Sequence, residues 1–212
     1  MSWRTACYGG RRRSVIGNAL MLIGIVVLAS GATLSGWPSG VPASLQCPRL
    51  IVDGTVASDF KALALETWDR FLAVFWARCD CFGDVRLRAS GTLDSRAGYD
   101  PDSAMVTVRV PGTAAMLRGA LIHEWAHHVE FQCEEHQELR PAFLAAQGLP
   151  PDTPWRADDA PVSRSAGDWA DIPSEQCAEA AIELVLGERP ISTPVRVTRE
   201  AISVIAEWAA GD

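Results

Sequence analysis

The chain's 212 residues suffice for one ordinary domain, and a composition 48% apolar and 21% charged excludes a disordered or collagen-like chain. The net charge of −7 conceals an asymmetry: residues 1–31 carry four arginines and no acid, and the remainder sets fifteen basic against twenty-six acidic side chains. So acidic a body is a poor match for nucleic acid or an anionic bilayer surface, and both are set aside as partners.

Arg11-Arg12-Arg13 precedes an apolar run, Val15 to Leu28, and then the small residues Ala29, Ser30, Gly31 and Ala32. Basic, apolar and small, in that order, describe an export signal. Extended to Leu34, the run reaches about twenty residues, enough to span a bilayer as a signal anchor. Residues 1–34 therefore read as a signal peptide or signal anchor, the one expected contact with a membrane, and the rest is expected outside the cytoplasm. Residues 35–46, rich in Ser, Gly and Pro, read as a linker to a domain spanning 47–212. Beyond the apolar run lie Cys47, Cys79, Cys81, Cys133 and Cys177. Five is odd, so at most two bridges form and one thiol is left over, with the pairing open. Cys79 and Cys81 stand too close in sequence for a usual structural zinc pair, and an exported domain favours disulfides.

Ser58 or Asp59 reads as the N-cap of a helix of about five turns. Phe60, Leu63, Ala64, Trp68, Phe71, Leu72, Phe75 and Trp76 form its apolar stripe. Two short alternating runs, Val85–Ala89 and Met105–Val110, read as strands with one buried face. Gly112-Thr113 opens a long helix over 114–133, and 134–146 reads as another. Residues 147–173 carry five prolines and form a long loop, whose Trp155 and Trp169 are expected near a cleft. Helices follow over 174–186, ended by Gly187, and over 198–209. The fold class expected is α+β, a single domain, mostly helical with a small sheet.

The chemistry concentrates in the long helix. His123-Glu124-Trp125-Ala126-His127 is H-E-x-x-H; a shuffled chain of this composition would carry about 0.003 such matches. Residues i and i+4 of a helix lie about 40° apart and one turn along, so both imidazoles can hold one ion. Glu124 falls about 100° from His123, beside the ion and not on it, where it can take a proton from water at the metal.

A catalytic zinc needs a third protein ligand and an open fourth position. Three and six residues after His127 stand Glu130 and Cys133, where a turning glycine and a third histidine would be required, so that arrangement is rejected. His136 is a weaker candidate. Glu175 and Glu179 lie 48 and 52 residues beyond His127 and share a helix face in an otherwise apolar segment. One of them can ligate the ion while the other accepts the N–H of a ligand histidine.

H-E-x-x-H followed by a helical E-x-x-A-E resembles the gluzincin branch of the zinc metallopeptidases. That resemblance implies a zincin-like fold, Zn2+ as cofactor, and a peptide or protein substrate. It implies His123, His127 and Glu175 as zinc ligands, Glu124 as catalytic base, and Glu179 as the partner of a ligand histidine, His123. It further implies an edge strand beside the active-site helix, a role open to Met105–Val110. Members often supply a Tyr or His to stabilise the oxyanion. No tyrosine stands near the second motif, and His128, four residues past Glu124, is the candidate, with Arg109 and Tyr99 behind it. The expectation is an exported zinc-dependent peptidase. Its rival is a non-catalytic extracellular zinc-binding or interaction domain that retains the H-E-x-x-H helix.

Overall fold

The computed structural model describes residues 47–159 and 169–211. The expected export segment and linker lie outside the described residues, as does the middle of the proline-rich loop. Among the described residues the chain is mixed α+β, with five α-helices and one four-stranded sheet, and no helix is long and apolar enough to cross a membrane.

The sheet begins with β1 (Leu50–Val52), three branched apolar residues that are too few to show alternation. Helix α1 (Ser58–Val74) then crosses to β2 (Val85–Ser90), which pairs parallel to β1 with Leu50 opposite Val85. Its N-cap is Ala57, one residue before the expected position and without a side-chain cap; the exposed Asp59 carboxylate accepts the Phe60 N–H at 2.8 Å within the first turn. Phe60, Ala64, Trp68, Phe71 and Phe75 are buried as their spacing requires. Trp76 is not: it is 63% exposed, because the α-helix stops at Val74 and a tighter turn, Trp76–Arg78, breaks the 3.6-residue period.

Strands β3 (Ala97–Asp100) and β4 (Met105–Arg109) complete a sheet of order β1-β2-β4-β3. β4 runs parallel to β2 and antiparallel to β3. The Met105–Val110 segment is therefore interior, which corrects its expected edge role; the edge on that side is β3. Val106 and Val108 form the buried face of β4; on its other face Arg109 is exposed, while Thr107 is covered by Arg88, whose Nε donates to the threonine hydroxyl at 2.8 Å.

Helix α2 (Ala114–Gln132) starts at Thr113, whose hydroxyl accepts the Met116 N–H at 3.3 Å. Leu117 packs closely on Gly112 at this entry: a Cβ there would stand 3.1 Å from a Leu117 methyl and would push the leucine aside by a few tenths of an ångström. One side of α2 sends Leu117, Leu121, Ile122, Trp125 and Val129 into the core. Trp125 is fully buried and meets Trp68 edge-on, with ring centroids 4.9 Å apart. Helix α3 (His136–Ala146) packs against α5 (Arg199–Ala209), and the Thr198 hydroxyl ties them by donating to Ala146 O while accepting the Ala201 N–H. Helix α4 (Pro173–Leu186) lies along α2 and ends at Gly187, whose φ of 77° reverses the chain in the left-handed conformation open to glycine.

Disulfides join Cys47 to Cys79 and Cys81 to Cys133, leaving Cys177 a buried thiol. The second fastens the C-cap residue of α2 to the turn ahead of β2.

Candidate metal centre

Helix α2 borders a cleft of about 630 Å³, with β3 and α4 supplying other walls. α4 runs antiparallel to α2: Ile182 sits over Gly119, Glu179 over His123, and Glu175 beside both His123 and His127. The i, i+4 spacing on each helix thus brings four side chains to one place.

His123 Nε2 lies 3.0 Å from Glu175 Oε2, His127 Nε2 lies 3.6 Å from Glu175 Oε1, and the two Nε2 atoms are 3.2 Å apart. Two donors held about 2.0–2.1 Å from one ion at the tetrahedral angle stand about 3.3 Å apart. The three measured separations bracket that value. These three residues form a group able to hold a metal ion, and their two imidazoles and one carboxylate are a donor set suited to zinc.

Each imidazole is oriented from behind. His123 Nδ1 is 3.1 Å from Glu179 Oε1, and His127 Nδ1 is 3.0 Å from Glu130 Oε2. A carboxylate accepts only, so both Nδ1 atoms donate to it; with an ion bound, each imidazole would keep that Nδ1–H and turn a bare Nε2 lone pair to the ion. Both supporting carboxylates are in turn held by arginines that line the cleft. Arg189 Nη1 meets Glu179 Oε2, and Arg156 Nε donates to Glu130 Oε1 at 2.6 Å. Glu130 Oε1 also accepts the Trp155 indole N–H at 2.8 Å.

The electrostatics reflect this concentration of acceptors. Burial disfavours a charged His127, yet its hydrogen bonds to Glu130 and Glu175 prevail and push it up to about 10. Burial likewise opposes ionisation of Glu175, but the hydrogen bonds from His123 and His127 hold its carboxyl far below the usual range. The site favours positive charge among its three donors. Glu124 lines the cleft, and burial raises its carboxyl, against the pull of His123 and His127.

His128 does not join them. It is fully buried and off the cleft wall, with Nε2 donating to Gly83 O at 2.9 Å and Nδ1 accepting from the Tyr99 hydroxyl at 2.9 Å. Gln132 Nε2 donates to that same hydroxyl at 3.1 Å, so the chain of donors leaves His128 neutral and fully engaged. Its expected oxyanion role is corrected on this ground, although the Tyr99 ring does line the cleft. Arg109 is spent on Asp94 O, and His136 is buried against Trp155 and Trp208, away from the ligands. Of the two loop tryptophans, Trp169 lines the cleft and stacks on His123 with centroids 6.0 Å apart, whereas Trp155 reaches the site only through Glu130. Cys81, Cys133 and Glu135 also lie together, but the disulfide removes both thiolates as donors.

Three residues were missed in the sequence. Glu130 had a usable signal, three positions past His127 on the same helix face. Arg156 and Arg189 had none, since they arrive from loops by tertiary placement. No family model, curated protein or solved structure matches this chain.

Proposed function

We propose that this chain is a zinc-dependent peptidase of zincin-like fold that works outside the cytoplasm. The observation that carries the reading is the convergence of His123, His127 and Glu175 at separations of 3.0, 3.2 and 3.6 Å. His123 Nε2, His127 Nε2 and a Glu175 oxygen would hold the ion, which when bound supplies Lewis acidity toward a peptide carbonyl and acidifies water.

Glu124 performs the proton transfers. Its carboxylate takes a proton from the attacking water and delivers it to the leaving amine nitrogen. Burial, by raising its pKa, makes it the stronger base for the first step. Glu179 and Glu130 keep both ligand imidazoles in the Nδ1–H tautomer. β3 offers a sheet edge along the cleft, on which an extended peptide adds as a further strand. Two disulfides suit an oxidising compartment, in keeping with the arginine-led apolar segment at 11–34.

The test is Glu124→Gln. Peptide-library hydrolysis is expected to fall by about 10²–10⁴-fold while zinc stays bound at one equivalent; undiminished hydrolysis in that variant refutes the mechanism. One observation favours a second reading, a non-catalytic zinc-binding module. Among the described residues, no tyrosine hydroxyl or further histidine is free to meet an oxyanion in the cleft. Wild-type protein that binds zinc and cleaves no member of the library supports that reading.

A further inference from the structure

Glu130 is a carboxylate with 3% of its side chain exposed, although the next residue of α2, Phe131, stands exposed. Burying an ion is costly unless its acceptor sites are filled, and here they are. One oxygen takes the His127 Nδ1–H at 3.0 Å; the other takes the Trp155 indole N–H at 2.8 Å and the Arg156 Nε–H at 2.6 Å. Arg140 Nη2 stands 3.9 Å from that second oxygen. The Arg156 guanidinium is itself fixed over the Phe131 ring, 3.7 Å from its centroid. Three elements therefore meet at one carboxylate: α2, α3 and the loop that follows α3.

We infer that Glu130 is a positioning residue for the metal centre, and that the Trp155-Arg156 segment sets how tightly His127 holds the ion. The inference rests on the metal reading above and goes beyond it. It gives His127 a partner equivalent to the one Glu179 gives His123, and it gives a loop control over ligand basicity. An ionised acceptor on Nδ1–H makes Nε2 a stronger donor and holds the ring plane toward Glu175. Trp155 and Arg156 hold the Glu130 carboxylate in place by donating to its other oxygen. Arg156 also lines the cleft, so whatever occupies that end bears on the same arginine.

A glutamine cannot replace this acceptor. Its single carbonyl oxygen can face His127 or the Trp155–Arg156 pair, and either choice sets an amide N–H against another donor. The experiment measures zinc affinity by chelator competition, and the visible absorption of the cobalt-substituted protein, for wild type, Glu130→Gln and Arg156→Gln. Circular dichroism and metal-free thermal midpoints check the fold. Glu130→Gln is expected to bind zinc about 10–100-fold more weakly and to shift the cobalt bands, with Arg156→Gln weakened to a smaller degree. Unchanged affinity and spectrum in folded Glu130→Gln overturn the inference. Should that variant not fold, Arg156→Gln decides: weaker zinc binding upholds the inference and unaltered binding overturns it. Wild type that takes up no zinc overturns the metal reading and this inference with it. Wild type that binds zinc without cleaving peptides, alongside a weakened Glu130→Gln, defeats only the peptidase reading.

Discussion

Glu179 meets His123 at Nδ1, the ring nitrogen opposite the one that faces Glu175. One turn of α4 thus grips a single imidazole from both ends, with Glu175 on the ion side and Glu179 behind. The two glutamates share spacing and helix but differ in consequence. Glu175→Gln weakens a donor and is expected to cost more zinc affinity than Glu179→Gln, which weakens only the support and is expected to lose about 10–100-fold. Chelator competition on both variants checks the order. A Glu179→Gln protein that binds zinc as tightly as wild type would refute the supporting role.

The edge of β3 gives a second prediction. Arg109 N–H donates to Arg96 O, which makes 96 and 109 a hydrogen-bonded pair, so the backbone groups of Ala97 and Tyr99 point away from β4. Ala97→Pro removes an outward N–H and no ladder bond, a position where an edge strand tolerates proline. If peptides dock on this edge, kcat/KM is expected to fall by up to about 10-fold, the worth of one backbone hydrogen bond, with little change in thermal midpoint. Equal kcat/KM in the two proteins would place the substrate elsewhere.

The local parts of this site were legible in the sequence and the long-range parts were not. H-E-x-x-H and E-x-x-A-E each specify a helix face by spacing alone, and the structure brings those two faces together. The same wheel reasoning misplaced His128. It lies 40° from Glu124, but one turn further along α2 that face runs under Gly83 and Tyr99, and spacing carries no information about what covers a face. β3 went unseen because Ala97-Gly98-Tyr99-Asp100 has no apolar alternation; its pairing with β4, not its own propensity, makes it a strand. Arg189 depends on the chain reversal at Gly187, which is legible as a helix stop but not as a route back to Glu179.

The Cys81–Cys133 bridge closes a separation of 52 residues and fastens α2 at the end that carries His127 and Glu130. Replacing both cysteines by alanine is expected to cost about 2–4 kcal/mol, read as a lower urea midpoint. Zinc affinity is expected to fall along with it, because Glu130 stands three residues from the bridge and its partners come from other elements. A variant that loses stability and keeps wild-type zinc affinity would show that the helix end is held by packing alone.

His136 provides a pH dependence of known sign. It opens α3, buried between Trp155 and Trp208, and burial lowers its pKa from 6.5 to about 4. Glu130 opposes that shift, while Arg140, Arg156 and His127 add to it, and the positive end of the α3 dipole works in the same direction. The unfolded chain therefore binds a proton more readily than the folded one between pH 6.5 and 4. The stability associated with neutral His136 is complete above pH 6.5 and is lost as pH falls through about 4. The shift corresponds to about 3 kcal/mol at full loss. Metal-free His127 has the opposite sign, since its raised pKa adds stability that is complete below 6.5 and lost as pH rises through about 10. Urea midpoints of the metal-free protein between pH 7 and 4 should thus decline more steeply for wild type than for His136→Phe, which keeps a ring between the tryptophans and removes the titrating group. Parallel declines in the two proteins would mean that other groups carry the acid sensitivity.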